Sequence, residues 1–175
     1  MPTSTDLPSR FDPVTDQELA GYITALTDAL NNGADGDAAA AGLAKVVNEH
    51  CKPWHYEHFD AVEACYLKEP RFAVRFPMFQ CLERLCGQDV QLLDRMLELY
   101  KTDHRTEEAD CNREVIKEFF QYLFATKGHQ RHWDAIAESA TTVQDVAMLE
   151  ALQYKNLKSN TNSVDTWVPE RPKTT

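Results

Sequence analysis

Glycine is scarce in this sequence, with six in 175 residues, and no stretch alternates clearly between apolar and polar side chains. A strand with one buried face shows such alternation, so its absence argues against a protein built from β-sheet. No apolar run approaches the length that spans a membrane, which argues against a membrane partner. The first six residues show neither the basic start nor the apolar core of a signal peptide, and we therefore expect a cytoplasmic protein.

Positive charge is also in short supply. The chain has 18 basic and 28 acidic residues, which give a formal net charge of −10. Because an acidic surface repels phosphate backbones, we expect no direct binding to nucleic acid. The same surface favours a basic protein partner.

Recognisable catalytic motifs are missing. There is no Gly-rich phosphate loop, no GxSxG sequence and no CxxC pair. The odd number of cysteines, mostly on or beside apolar stripes, indicates buried thiols in a reducing compartment (Cys51, Cys65, Cys81, Cys86 and Cys111). No motif predicts an enzyme, although an active site assembled from scattered residues stays open.

Apolar residues at steps of three and four are plentiful, and they predict amphipathic helices. In the central stretch from Val74 to Tyr100, Gly87 can end one helix and Asp89 can cap the next, which predicts a helical hairpin. We predict an all-α fold, a single domain of about seven to eight helices stacked as antiparallel hairpins, either a bundle or a short solenoid. The arrangement loosely resembles HEAT-type solenoids, but no internal period is clear.

The predicted helical domain covers residues 15–157, between a flexible N-terminal lead (1–14) and a flexible C-terminal tail (158–175). Thr15 and Glu18 form a capping-box pattern that opens the first helix. Pro53 suits the first turn of a helix that runs to about Lys68. Further helices are predicted around a kink at Pro77, from Thr106 to Gly128, from Gln130 to Glu138, and from Thr142 to Tyr154.

The densest polar cluster lies between Glu49 and Glu63, and it motivates a metal or haem hypothesis. On a helix, His55 and His58 would be one turn apart, and Cys65 would share the face of His58. The spacing matches neither the HExxH zinc pattern nor the Glu-x-x-His pairs of di-metal bundles, which favours ordinary packing of these histidines. Cys51 with His55 is a further candidate, for thiol chemistry, by proximity alone.

A second histidine pair, His129 and His132, is interpreted as a helix boundary. It would become a second metal candidate only if His104 or Cys111 approached it in space.

The tail carries one apolar island, Trp167-Val168-Pro169, in an otherwise polar segment. Two interpretations stay open: Trp167 folds back on its own domain, or it docks into a groove of a partner.

Together these features favour a protein–protein interaction module, an adaptor or a subunit of a larger assembly, without a cofactor. The alternative is a helical bundle that binds a metal or haem through His55 and His58. The identity of the partner and the oligomeric state are not predicted.

Overall fold

The computed structural model describes residues 7–32, 37–69, 71–87, 89–103 and 110–139, together with 147 and 150; the side chains of 37, 38 and 110–114 are outside this description. The predicted all-α class is confirmed, since these residues form seven α-helices and no strand. The helices are α1 (Asp16–Asn31), α2 (Asp37–His50), α3 (Phe59–Lys68), α4 (Phe72–Cys86), α5 (Val90–Thr102), α6 (Asp110–Thr126) and α7 (Gln130–Glu138). Every helix in these ranges is too short or too polar to cross a membrane.

The chain divides into two compact units at the junction of Cys86 and Gly87. In the first unit, α1 packs on α2 and α3, and α4 packs on the same two helices, which makes a four-helix bundle. Its core is apolar and includes residues from all four helices: Leu19, Ile23, Leu26, Leu43, Val47, Phe59, Val62, Tyr66, Val74, Phe79 and Leu82. Burial of these side chains is the main force that holds the four helices together.

The start of α1 follows from the predicted capping box. Thr15 Oγ1 accepts the backbone N–H of Glu18 at 3.2 Å, and Glu18 Oε2 accepts that of Thr15 at 2.8 Å. Each side chain therefore satisfies a backbone donor that has no partner inside the helix. The predicted capping box is confirmed.

The predicted helix start at Pro53 is wrong, although its end at Lys68 is confirmed. Residues 51–55 form a turn, Tyr56–His58 form a short 3₁₀ helix, and α3 begins only at Phe59. The reason is local, because the ring of His55 accepts the backbone N–H of Lys52 and the N–H of His55 donates to the Lys52 carbonyl. This turn delays the helix and removes His55 from it.

Helix α4 continues through Pro77. This confirms the prediction that the stretch is a helix and not a strand. Its Arg84 reaches the end of α2: one guanidinium nitrogen donates to the carbonyls of Asn48 and Cys51, the latter at 3.0 Å. The second nitrogen donates to the Asn48 side chain at 3.2 Å. An arginine fork on the last carbonyls of a helix satisfies acceptors that the helix itself leaves unpaired.

The predicted boundary signals after α4 are confirmed. Gly87 has φ of +51°, a conformation that glycine adopts without the steric cost of a side chain. Asp89 Oδ1 accepts the N–H groups of Gln91 and Leu92 at 2.8 and 3.1 Å and so caps α5. The hairpin that we predicted across this turn joins the two units and stays a prediction.

In the second unit, α6 packs on α5 and α7. The core side chains are Leu93, Met96, Leu97, Ile116, Phe120, Leu123, Phe124, Trp133 and Ile136. The bounds predicted for α7 are confirmed, but Tyr122, which we expected to widen the apolar stripe of α6, is half-exposed. The predicted opening at Thr106 and almost all of the predicted last helix lie outside the described residues.

Candidate functional site

His55, the first predicted metal ligand, lies in the turn that follows α2, and its ring is buried. Its Nδ1 accepts the backbone N–H of Lys52 at 3.0 Å, and its Nε2 is 3.1 Å from Asp16 Oδ1 at the start of α1. Because Nδ1 accepts, the ring proton resides on Nε2 and is donated to the carboxylate. Both ring nitrogens of His55 are therefore engaged within the protein.

Burial lowers the pKa of His55. The carboxylates of Asp16 and Glu57 act in the opposite direction, and nearby His58 adds to the lowering. A neutral ring fits the hydrogen bonds, because a proton on Nδ1 would face another N–H group.

The other two predicted ligands do not join His55 in a three-residue site. His58 is half-buried just before α3, with its ring centroid 6.2 Å from that of His55. Cys65 is buried, and its Sγ is 3.5 Å from the hydroxyl of Thr27 on α1. Within the described ranges no three His, Cys, Asp or Glu side chains are arranged to hold a metal ion.

Two buried thiols of the first unit, those of Cys65 and Cys81, have raised pKa values. Burial raises the pKa of Cys65. The pKa of Cys81 is also raised, chiefly by a hydrogen bond with Cys51 and then by burial. Cys51 is itself buried, and the Nδ1 atom of His55 accepts the Lys52 N–H, so this ring nitrogen is not directed at the Cys51 thiol.

His132 occupies an equivalent arrangement in the second unit. Its fully buried Nδ1 accepts the backbone N–H of His129 at 3.0 Å, and its Nε2 is 2.8 Å from Asp94 Oδ1 on α5. One face of the ring stacks on Phe124 at a centroid distance of 5.6 Å. The predicted helix boundary is confirmed, because these bonds form at the first turn of α7.

Neighbouring charged groups have opposing effects on the pKa of His132. Burial lowers the pKa of His132, which Asp94 opposes, while Arg131 and His129 add to the lowering. Arg131 donates to both Asp94 oxygens at 2.8 Å, and this hydrogen bond is the main reason why the pKa of Asp94 is lowered. Asp94 thus accepts from two donors on α7.

The two aspartates are the residues that the sequence-based search missed. Asp16 precedes His55 by 39 residues, and Asp94 precedes His132 by 38. A signal was present, since each aspartate begins the same pattern, Asp-x-x-Leu-x-x-Tyr, as DQELAGY and DRMLELY. The pair joins the first helix to the turn before the third in the first unit, and to the first turn of the third helix in the second unit, which indicates a structural role.

Several predicted site residues cannot be placed. Trp167, Val168 and Pro169 lie outside the described residues, as do His104 and the side chain of Cys111. Their roles stay predictions.

An exposed aromatic residue occurs near the N-terminal end of the described chain. Ser9 N–H donates to Asp12 Oδ2 at 2.7 Å, and Asp12 N–H donates to the Ser9 carbonyl at 3.0 Å, so residues 9–12 form a turn. His50 Nε2 lies 3.1 Å from the same carbonyl, which ties the turn to the end of α2. At its tip Phe11 is 81% exposed, with the guanidinium of Arg10 4.5 Å from the ring centroid.

The described part of the chain is thus all-α, and its buried His55 and His132 form hydrogen bonds within the fold. The chain matches no protein family, curated protein or solved structure with which it was compared. A functional assignment has to come from its own surface.

Proposed function

We propose that this protein is an interaction module, an adaptor or a subunit of a larger assembly, which binds a basic protein partner. Its formal net charge of −10 supports this choice, because long-range attraction speeds the encounter with an oppositely charged partner. The hydrogen bonds of His55 and His132 also support it, since they commit both buried rings to the fold rather than to chemistry.

The observation that carries the proposal is the anchored turn at Phe11. A phenyl ring that is 81% exposed leaves apolar surface in water, although the turn beneath it is fixed by three hydrogen bonds. Aromatic and arginine side chains contribute most of the binding energy at many interfaces. Arg10 and Phe11 together offer such an anchor, and the fixed turn limits the entropy that is lost on binding.

A cleft beside the turn adds shape to this surface. It has a volume of about 620 Å³ and lies between residues 7–11 and α2, where Gly42, Lys45, Val46 and Glu49 form its other wall. A partner side chain can insert here while Phe11 enters the partner. Gly42 matters to this wall, because an added Cβ would lie 2.9 Å from a methyl carbon of Leu7.

The tail belongs to the same proposal. We suggest that Trp167, Val168 and Pro169 supply a second anchor, in line with the aromatic preference of interfaces. Removal of residues 158–175 should leave the melting temperature unchanged and reduce partner binding. If the shortened protein unfolds instead, the tail is part of the fold and this half of the proposal is wrong.

Affinity capture from the native source, with quantitative mass spectrometry, tests the proposal. We expect Phe11→Ser to reduce recovery of a reproducible partner, while the matched change Tyr122→Ser at another exposed aromatic leaves it intact. Circular dichroism must show equal helix content for both variants. Equal recovery with the wild type, Phe11→Ser and the shortened chain would contradict the proposal.

Metal or haem binding through His55 and His58 is the second candidate, and the observation in its favour is the proximity of the two rings. Elemental analysis and absorption spectroscopy of the purified protein test it. If the wild-type protein contains stoichiometric metal or haem and the His55→Ala, His58→Ala double variant does not, metal or haem binding replaces the interaction proposal.

A further inference from the structure

The cleft between residues 7–11 and α2 carries a charge opposite to that of the chain as a whole. Among the described residues that line it, the charged ones are Arg10, Lys45 and Glu49, two cations and one carboxylate. Arg10 belongs to the turn and Lys45 to α2, so each wall contributes a positive group. The formal net charge of the whole chain is −10, which makes this cleft a local exception.

Both cations retain hydrogen-bond donors for a ligand. Lys45 Nζ is 3.9 Å from Glu49 Oε1, near the limit of an ion pair, and the lysine side chain is 72% exposed. Because an exposed pair of this kind contributes little to stability, the ammonium group can turn to another acceptor. The guanidinium of Arg10 contacts the ring of Phe11. A guanidinium has five N–H donors, so this contact leaves donors for a carboxylate.

The carboxylates near the cleft do not cancel its positive charge. Asp12 is engaged in the turn, where its Oδ2 accepts the Ser9 N–H at 2.7 Å, and this bond is the main reason why the pKa of Asp12 is lowered. Lys52 Nζ donates to the backbone carbonyl of Glu49 at 3.3 Å, which adds a cation at this end of α2. With Arg10 and Lys45, three cations thus accompany the carboxylates of Asp12 and Glu49.

The rest of the lining is largely apolar. Leu7, Pro8 and Val46 contribute to it, and Gly42 has no side chain to fill the space. A volume of about 620 Å³ is in the usual range for binding pockets, in which apolar walls surround a few charged groups. An occupant that matches this cleft therefore has an apolar part and a negative group.

We infer that the cleft binds an acidic side chain of the partner protein, a glutamate or aspartate beside an apolar residue, through Arg10 and Lys45. Guanidinium and ammonium groups form charge-assisted hydrogen bonds with carboxylates. This inference rests on the proposed function and names the group that enters the cleft. The partner remains basic overall, and a single acidic residue at this position fixes how the two surfaces are aligned.

Capped tripeptides with leucine on either side of a central residue serve as probes. The central residue is glutamate in the first peptide, glutamine of the same size in the second, and lysine in the third. Titration into the ¹⁵N-labelled full chain should shift amide signals within residues 7–12 and 42–50 saturably with the glutamate peptide. Because one side chain makes the contact, we expect a dissociation constant on the order of 1 mM, about tenfold weaker binding of the glutamine peptide, and no saturation with the lysine peptide.

Variants of the Lys45–Glu49 pair separate a contact in the cleft from attraction by net charge. Lys45→Gln should weaken binding of the glutamate peptide about threefold to fivefold, and Arg10→Gln should act in the same direction. Glu49→Gln should strengthen binding, because it removes a carboxylate that competes for Lys45. The matched control pair is Lys101 and Glu98 on α5, 3.3 Å apart, where Lys101→Gln and Glu98→Gln should leave the dissociation constant unchanged.

The inference is wrong if the glutamine or the lysine peptide binds as tightly as the glutamate peptide, or if none of the three shifts these signals. It is also wrong if Lys101→Gln weakens binding as much as Lys45→Gln, because that result would show an effect of net charge alone. Amide spectra of the free variants, compared with that of the wild type, confirm that each variant is folded.

The proposed function is tested separately, by the capture experiment. If capture of the native partner depends on Phe11 while the glutamate peptide does not bind, the interaction module stands and the acidic partner group is wrong. If the wild type recovers no reproducible partner, the proposed function fails, whatever the peptides do.

Discussion

Mild acid should weaken this fold through two buried histidines, His55 and His132. Each Nδ1 atom accepts a backbone N–H, and each Nε2 atom donates to an aspartate. A proton added to Nδ1 would remove the acceptor and leave two N–H groups facing each other. Burial lowers the pKa of both rings, although the aspartates oppose it.

The sign of the pH dependence follows from these lowered pKa values. In the unfolded chain histidine binds a proton near pH 6.5, whereas the native rings bind it at lower pH. The stabilisation from the neutral rings is complete above about pH 6.5 and is lost as the pH falls towards their native pKa values. Each ring contributes a slope of at most about 1.4 kcal/mol per pH unit to the free energy of unfolding, and the two together at most about 2.7.

Urea denaturation between pH 5 and 8 at constant ionic strength measures this slope. We expect His55→Gln and His132→Gln each to remove about half of it, and the double variant to remove all of it. A packing cost of either substitution shifts the whole curve without changing its slope. The variant His129→Gln retains the backbone N–H that the buried ring accepts, so most of the slope should remain; a small decrease is expected, because His129 adds to the lowering of the pKa of His132.

The pH window matters to the interpretation. Carboxylates with lowered pKa values, such as Glu18 and Asp94, have ordinary values of 4.5 and 3.8, and they lose their native contribution only at lower pH. A free energy of unfolding that stays constant from pH 7.5 to 5 would refute the role of the histidines. So would an unchanged slope in the double variant.

Three further changes test the packing, the turn and the helix end. Phe120→Ala should cost about 3–5 kcal/mol in urea denaturation, because the ring is buried against two aromatic neighbours, whereas Tyr122→Ala on the same helix should cost less than about 0.5 kcal/mol. Equal costs would show that the phase of α6 is wrong. Gly87→Ala forces a side chain into a left-handed conformation and should lower the free energy of unfolding by about 1–2 kcal/mol. Gly21→Ala, in the open interior of α1, should raise it by up to about 1 kcal/mol. A change of the same sign in both variants would contradict this reasoning. Arg84→Met removes the donors that satisfy the end of α2 and should cost about 1.5–3 kcal/mol by thermal denaturation, and a negligible loss would mean that water replaces the guanidinium.

The sequence predicted well those features that depend on neighbouring residues. The Thr15–Glu18 capping box, the left-handed Gly87 and the Asp89 cap each need only three or four consecutive residues, and all three occur in the structure. The bounds of α7 were predicted for the same reason. Periodic apolar residues sufficed for the all-α class, because burial of one face is a local property of a helix.

Contacts between residues that are far apart in the sequence could not be predicted from these local patterns. Pro53 favours the first turn of a helix, but the bond between the ring of His55 and the N–H of Lys52 overrides this preference. Asp16 contacts that ring from the start of α1, 39 residues earlier in the sequence, and the shared Asp-x-x-Leu-x-x-Tyr pattern marks the aspartate without indicating which histidine it contacts. The metal hypothesis for His55 depended on a helix that does not include this residue.

The two units share a contact between an aspartate and a buried histidine. Sequence similarity, however, pairs the histidine of the second unit with the wrong histidine of the first. His58-Phe59-Asp60-Ala61 resembles His132-Trp133-Asp134-Ala135, so a sequence alignment pairs His58 with His132. The hydrogen bonds pair His55 with His132 instead. The two aspartates are not separated by the same number of residues as the two similar four-residue segments. No single repeat length therefore fits the whole chain.

The differences between the units then become the best guide to function. Both retain an aspartate on the first helix and a buried histidine before or within the third, which are the groups that hold these helices together. The exposed residues of α7 are polar or small, namely Gln130, Arg131, Asp134, Ala137 and Glu138, whereas α3 exposes Leu67 and the 3₁₀ helix before it exposes Tyr56. Single exposed apolar side chains are common on protein surfaces, so these two residues do not by themselves mark a contact. The aspartate–histidine pairs follow from the arrangement that the units share, and a function specific to this protein therefore depends on surface features such as the fixed turn that presents Phe11.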